Sequence, residues 1–81
     1  MATDRSAFIV VSFESSMTLM WRALHDVRES LSVARVYWNP DARFRDGRHF
    51  NFQIPLVGIT DPLSAQDDVR SILLTHGASL T

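Results

Sequence analysis

The chain has no cysteine, no lysine, only three glycines and three prolines, and no long apolar run. Without cysteine there is no disulfide framework, no thiolate nucleophile and no cysteine-based metal site. The glycines are scattered at Gly47, Gly58 and Gly77, which excludes a glycine-rich phosphate loop. The first thirty residues carry charges and no apolar stretch of membrane length. Neither a signal peptide nor a transmembrane helix is expected, and a cytoplasmic location follows as an expectation. With no lysine, all eight basic side chains are arginine. A GC-rich coding sequence would produce that bias, and so would selection for planar, bidentate cations at an interface.

Eighty-one residues are expected to form a single domain, 1–81, with a modest core. A hydrophobic content of 46% is enough for a folded protein. The net charge of −1 resembles neither a basic nucleic-acid coat nor an acidic mimic of DNA. The charge is uneven, however. Residues 35–49 carry four arginines (Arg35, Arg43, Arg45, Arg48) against Asp41 and Asp46, while the rest carries four arginines against seven acids.

Periodicity gives the element order. "SAFIVVSF" (6–13) is a short apolar run rich in strand formers, apolar at both parities as a central strand is. Over 14–31 the period changes. Met17, Met20, Trp21, Leu24, Val27 and Leu31 form one stripe of an amphipathic helix, with Ser15 or Ser16 as N-cap and Arg22 positioned to pair with Asp26. "SVARVYW" (32–38) reads as a second strand, interrupted by Asn39-Pro40-Asp41 at a bulge, turn or sheet edge. Asp46-Gly47 signals a two-residue type I′ hairpin turn. "RHFNFQI" (48–54) alternates, with Phe50, Phe52 and Ile54 on one face and His49, Asn51 and Gln53 on the other. Asp61-Pro62, or Ser64, starts a second helix running to His76, and Gly77 stops it. Its inner stripe is Ala65, Val69, Ile72 and Leu73, with His76 a further candidate at its end, leaving Leu63 and Leu74 outside.

The expected fold class is α+β. It is a two-layer sandwich in β-α-β-β-α order, with a three-stranded, mainly antiparallel sheet and two helices on one face. This matches a ferredoxin-like split βαβ lacking its last strand, and it leaves an open edge on strand one.

"RHFNF" (48–52) resembles, at Arg48, Phe50 and Phe52, the third-strand motif of the RNA-recognition-motif family. "FIVVSF" (8–13) loosely resembles that family's first-strand motif. The resemblance implies base stacking on Phe8, Phe50 and Phe52. The strand period opposes it. If Phe50 and Phe52 faced nucleic acid, His49, Asn51 and Gln53 would be buried, at about 1–3 kcal/mol each. A small domain has only about 5–10 kcal/mol in all. The opposite phase is therefore expected, with the aromatics in the core.

No catalytic constellation emerges. His25, His49 and His76 fall on different elements without ligand spacing, there is no Gly-x-Ser-x-Gly, and Asp67 and Asp68 diverge as neighbours on a helix. No cofactor and no metal are expected, and the chain is read as non-enzymatic. The leading expectation is a protein-interaction module, an adaptor or inhibitor within a larger bacterial or phage-related complex. Its size and make-up are similar to those of phage-encoded inhibitors, anti-CRISPR proteins included, although no motif is shared. The candidate partner-binding residues are Arg43, Arg45, Arg48 and His49 at the hairpin tip with Tyr37 or Trp38 beside them, since arginine and large aromatics anchor interfaces. A homodimer through the edge of strand one and nucleic-acid binding by the basic hairpin are the alternatives.

Overall fold

A computed structural model describes residues 8–81. The elements are β1 (Phe8–Glu14), α1 (Met17–Leu31), β2 (Tyr37–Pro40), β3 (His49–Pro55), α2 (Pro62–Thr75) and β4 (Ser79–Leu80). The strands form one antiparallel sheet in the order β2-β3-β1-β4. Ser6 and Ala7, expected at the start of the first strand, lie outside the described residues.

Alternation along the two inner strands decides which face is covered. Ile9, Val11 and Phe13 of β1 are buried, as are Phe50, Phe52 and Ile54 of β3, in one cluster with Met20, Ala23, Leu24 and Val27 of α1 and Ala65, Val69 and Leu73 of α2. Both helices therefore lie on one face. Val10, Ser12, Asn51 and Gln53 alternate onto the other, where Val10 is 48% exposed. The expected phase of β3 is the observed one. The cross-strand pairs Phe13–Phe50 and Val11–Phe52 put the aromatics in the middle of the sheet, and the Phe13 and Phe52 rings meet edge-on with centroids 4.6 Å apart.

Ser16 caps α1, its hydroxyl oxygen accepting the Leu19 N–H at 3.3 Å. The buried stripe is narrower than expected. Met17 and Trp21 are about half exposed, and Ala23 takes their place inside because a small side chain lets the helix approach its neighbours. Asp26 does not pair with Arg22. Its carboxylate meets the His76 ring at 2.6 Å and joins the two helices.

The second strand starts later than expected. Ser32 sits in the left-handed region (φ 53), its N–H bonded to the Arg28 and Glu29 carbonyls, and the Val33 N–H also returns to Arg28. Capping the helix uses residues that β propensity would place in a strand. Pro40 then lies on the outermost strand of the sheet, where its missing donor leaves no ladder bond unmade.

The sheet has four strands, not three. Asp61 caps α2 with Pro62 in the first turn. Gly77 (φ 82) and the Ala78 N–H to Leu73 carbonyl bond then reverse the chain after His76. This returns Ser79 and Leu80 against Glu14 and Phe13, with the Thr81 N–H bonded to the Ser12 carbonyl. The edge of β1 expected to be open is thus covered at its C-terminal end. Farther back, the Val10 carbonyl accepts the Gln66 amide at 3.4 Å. No described helix is long and apolar enough to cross a membrane.

Candidate interaction site

The loop between β2 and β3, residues 41–48, is not a two-residue type I′ turn. That turn needs positive φ at both central residues, and Gly47 (φ 70) has it while Asp46 does not. Two aspartates organise the loop instead. Asp41 extends the ladder through its N–H to the His49 carbonyl at 2.8 Å. Its buried carboxylate accepts the Arg43 N–H at 3.1 Å and a fork from the Arg43 guanidinium, Nε at 3.0 Å and Nη2 at 2.7 Å. Those side-chain bonds hold the Asp41 carboxyl down at about 2 and raise the Arg43 pKa above its ordinary value. Asp46 accepts the Arg48 N–H at 2.9 Å and faces His49 Nδ1 at 2.7 Å. The Arg48 N–H, first, and His49 lower its pKa.

Arg43, Arg45, Arg48 and His49 are therefore brought together on one loop, but most of their charge is answered locally. Arg43 has Asp41, Arg48 has Glu14 at 3.7 Å, and His49 has Asp46. Among the described residues, Arg45 makes no ion pair within 4 Å. Sequence reasoning missed the role of Phe44, whose ring stacks on His49 with centroids 3.7 Å apart and lies under Arg43. Nothing in the residue pattern marks that contact. Glu14, Asp46 and His49 also bring three potential ligand atoms within 4.8 Å of one another. They are the residues that could hold a divalent cation. The His49–Asp46 hydrogen bond and the Arg48–Glu14 ion pair account for their arrangement without one.

Tyr37 and Trp38 stand away from the loop tip, at the other end of β2, and point to opposite faces as strand neighbours must. Tyr37 meets Phe8 edge-on at 6.2 Å on the open face. Trp38 turns toward the helices, edge-on to Phe50 at 5.8 Å and to Trp21 at 5.5 Å. The sharp turn at Ser32 lays the following segment beside the end of α1. The result is an open groove of about 720 Å³ between α1 and the outer edge of β2, lined by Trp21, Leu24, Arg28, Arg35, Tyr37 and Trp38 among others. Among the described residues, no acidic side chain lines it. Among the described residues, neither Arg28 nor Arg35 makes an ion pair within 4 Å.

The candidate site read from sequence thus divides in two. The loop is a largely self-paired cluster of charges, while Tyr37 and Trp38 belong to a separate groove whose arginines have no anion beside them among the described residues. No protein-family model matches the chain, and comparison with curated proteins and with solved structures also returns no match.

Proposed function

We propose that this protein is a non-enzymatic interaction module that holds a protein partner in the groove between α1 and β2. The observation that supports this reading is the convergence there of Arg28 and Arg35, neither of which makes an ion pair among the described residues, with exposed Trp21 and Tyr37 and half-buried Trp38. Arginine and large aromatics carry a disproportionate share of interface energy. An arginine already forked by a carboxylate, as Arg43 is, would have to break that pair to bind anything else. The groove, rather than the hairpin loop, is therefore the favoured contact. We read the scaffold as ferredoxin-like, an assignment supported by its β-α-β-β-α-β order and by the sheet order β2-β3-β1-β4. Service as an inhibitor or adaptor of a larger cytoplasmic assembly is the context in which a module of this size would work.

Affinity capture from the source cells tests the reading. Wild type should return one complex, Trp21→Ala with Arg35→Ala should lose it, and Arg43/Arg45/Arg48→Ala should keep it. Loss by the loop variant alone would transfer the site to the loop. Nucleic-acid binding by the loop is the second reading, favoured by exposed Phe44 beside Arg45, which makes no ion pair among the described residues. It predicts low-salt binding of single-stranded RNA or DNA that falls steeply with added salt. Binding indifferent to Arg45→Ala and Phe44→Ala would remove it.

A further inference from the structure

We infer that the groove takes an extended acidic segment of the partner, added as a strand to the outer edge of β2. This rests on the groove being the binding site.

The backbone supplies one half of the argument. β2 pairs with β3 at Tyr37–Gln53 and Asn39–Asn51, and the Asp41 N–H continues the ladder to His49. Alternate residues of a strand direct their peptide groups to opposite sides. Tyr37, Asn39 and Asp41 therefore spend theirs on β3, and Trp38 turns its N–H and C=O outward. Pro40 presents a carbonyl but no N–H, so donation from β2 ends at Trp38. The edge is a template for a short added strand, closed at one end by proline, and this limits open-ended pairing with further chains.

The side chains supply the other half. Arg28 comes from the last turn of α1 and Arg35 from the segment before β2, so they approach the groove from its helix side and its loop side. With no acid among the described residues lining the groove, both cations are offered to the occupant. An added strand places alternate side chains toward α1, where acidic residues meet these arginines and apolar ones meet Leu24 and the indoles. A partner helix would leave the Trp38 peptide group unmade.

A nucleic-acid strand fits less well. It would present a run of phosphates to a groove with two cations, on a chain whose net charge is −1. The Trp21 and Trp38 rings are also engaged edge-to-face with each other at an interplanar angle of 79°, rather than set as parallel platforms for bases.

The test uses the full chain and a displayed library of random peptides long enough to form a strand. Selection should enrich sequences in which Glu or Asp alternates with apolar residues. The selected peptide should bind with an affinity that falls about tenfold or more in Arg35→Ala, as expected for loss of one interface arginine. It should also shift and protect the Trp38 amide in hydrogen-exchange NMR. Arg28→Lys and Arg35→Lys, which keep the charge and the fold, should retain part of the binding. A pool without acidic enrichment overturns the proposal. So does a peptide that binds as a helix or leaves the Trp38 amide unprotected, although binding lost on Trp21→Ala would leave the groove reading standing. Preference for a single-stranded oligonucleotide over any peptide overturns it too. Selected peptides that perturb only loop residues 41–48 would end both readings.

Discussion

Replacing Phe52 with alanine should remove much of this protein's stability, while the same change at the adjacent Gln53 should remove almost none. Phe52 is fully buried, packs edge-on against Phe13 at 4.6 Å and lies opposite Val11 on the middle pair of strands. Truncating a core phenylalanine to alanine costs about 3–5 kcal/mol, of which about 0.5–1.5 kcal/mol is the aromatic pairing. A chain of this length is stable by about 4–12 kcal/mol, so the variant sits near the limit of folding. Phe52→Leu keeps most of the volume and should cost about 1–2 kcal/mol, providing a variant that stays folded. Gln53 is on the opposite face, and its loss should fall within about 0.5 kcal/mol. Urea unfolding followed by far-UV circular dichroism measures all three, with an unchanged slope confirming that the same transition is compared. If Phe52→Ala costs less than about 1 kcal/mol and Gln53→Ala costs more, the phase of β3 is inverted. The argument against base stacking on Phe50 and Phe52 then collapses with it.

Acid should loosen the β2–β3 loop in a defined window. Because the Asp41 carboxyl is lowered from 3.8 to about 2, its contribution is complete above about pH 4 and is lost as the pH falls toward 2. The Arg43 amide resonance should follow that titration, and Asp41→Asn should abolish it; a midpoint near neutrality would refute the assignment. Asp26 and His76 join the helices at a partly solvated position, so a double-mutant cycle with Asp26→Asn and His76→Gln should give a coupling of about 0.2–1 kcal/mol, and one above about 2 kcal/mol would show a pair far less hydrated than it looks. A chain ending at Ala78 loses β4 and bares the edge of β1. It should self-associate more strongly than the full chain in light scattering, and an unchanged mass at high concentration would exclude that edge as a dimerisation surface.

What was legible in the sequence was whatever a single element encodes by itself. The strict alternation of 48–54 fixed the phase of β3, because one face had to be buried and only one choice spared three polar side chains. Helix ends were marked to within a few residues, at Ser15 or Ser16, at Asp61 or Ser64 and at Gly77, because capping is local chemistry; Ser16 and Asp61 are the caps. Two residues of strand carry no period, so β4 was invisible; its place follows from the reversal at Gly77 and from a partner strand more than sixty residues away. The Asp46-Gly47 signal failed because Asp41 and Asp46 use their side chains to bind backbone N–H groups, which competes with a backbone-only turn. Arg43, Arg45 and Arg48 looked like a basic tip because linear charge counting cannot see that Glu14, on another strand, reaches Arg48. The groove escaped notice for a related reason. Arg28, Arg35 and Trp21 have no telling spacing, and they share a surface only after α1 ends sharply at Ser32.

The contact between Trp21 and Trp38 has a practical consequence. These are the only two tryptophans in the chain, one on a helix and one on an edge strand, and their rings are held within 5.5 Å. Two identical chromophores this close exchange excitation, and the resulting couplet in circular dichroism depends on their separation and mutual angle. The protein therefore carries an intrinsic optical gauge across the α1–β2 boundary. Anything that wedges into or straightens that boundary changes the signal without any label, while a ligand that settles elsewhere leaves it unaltered.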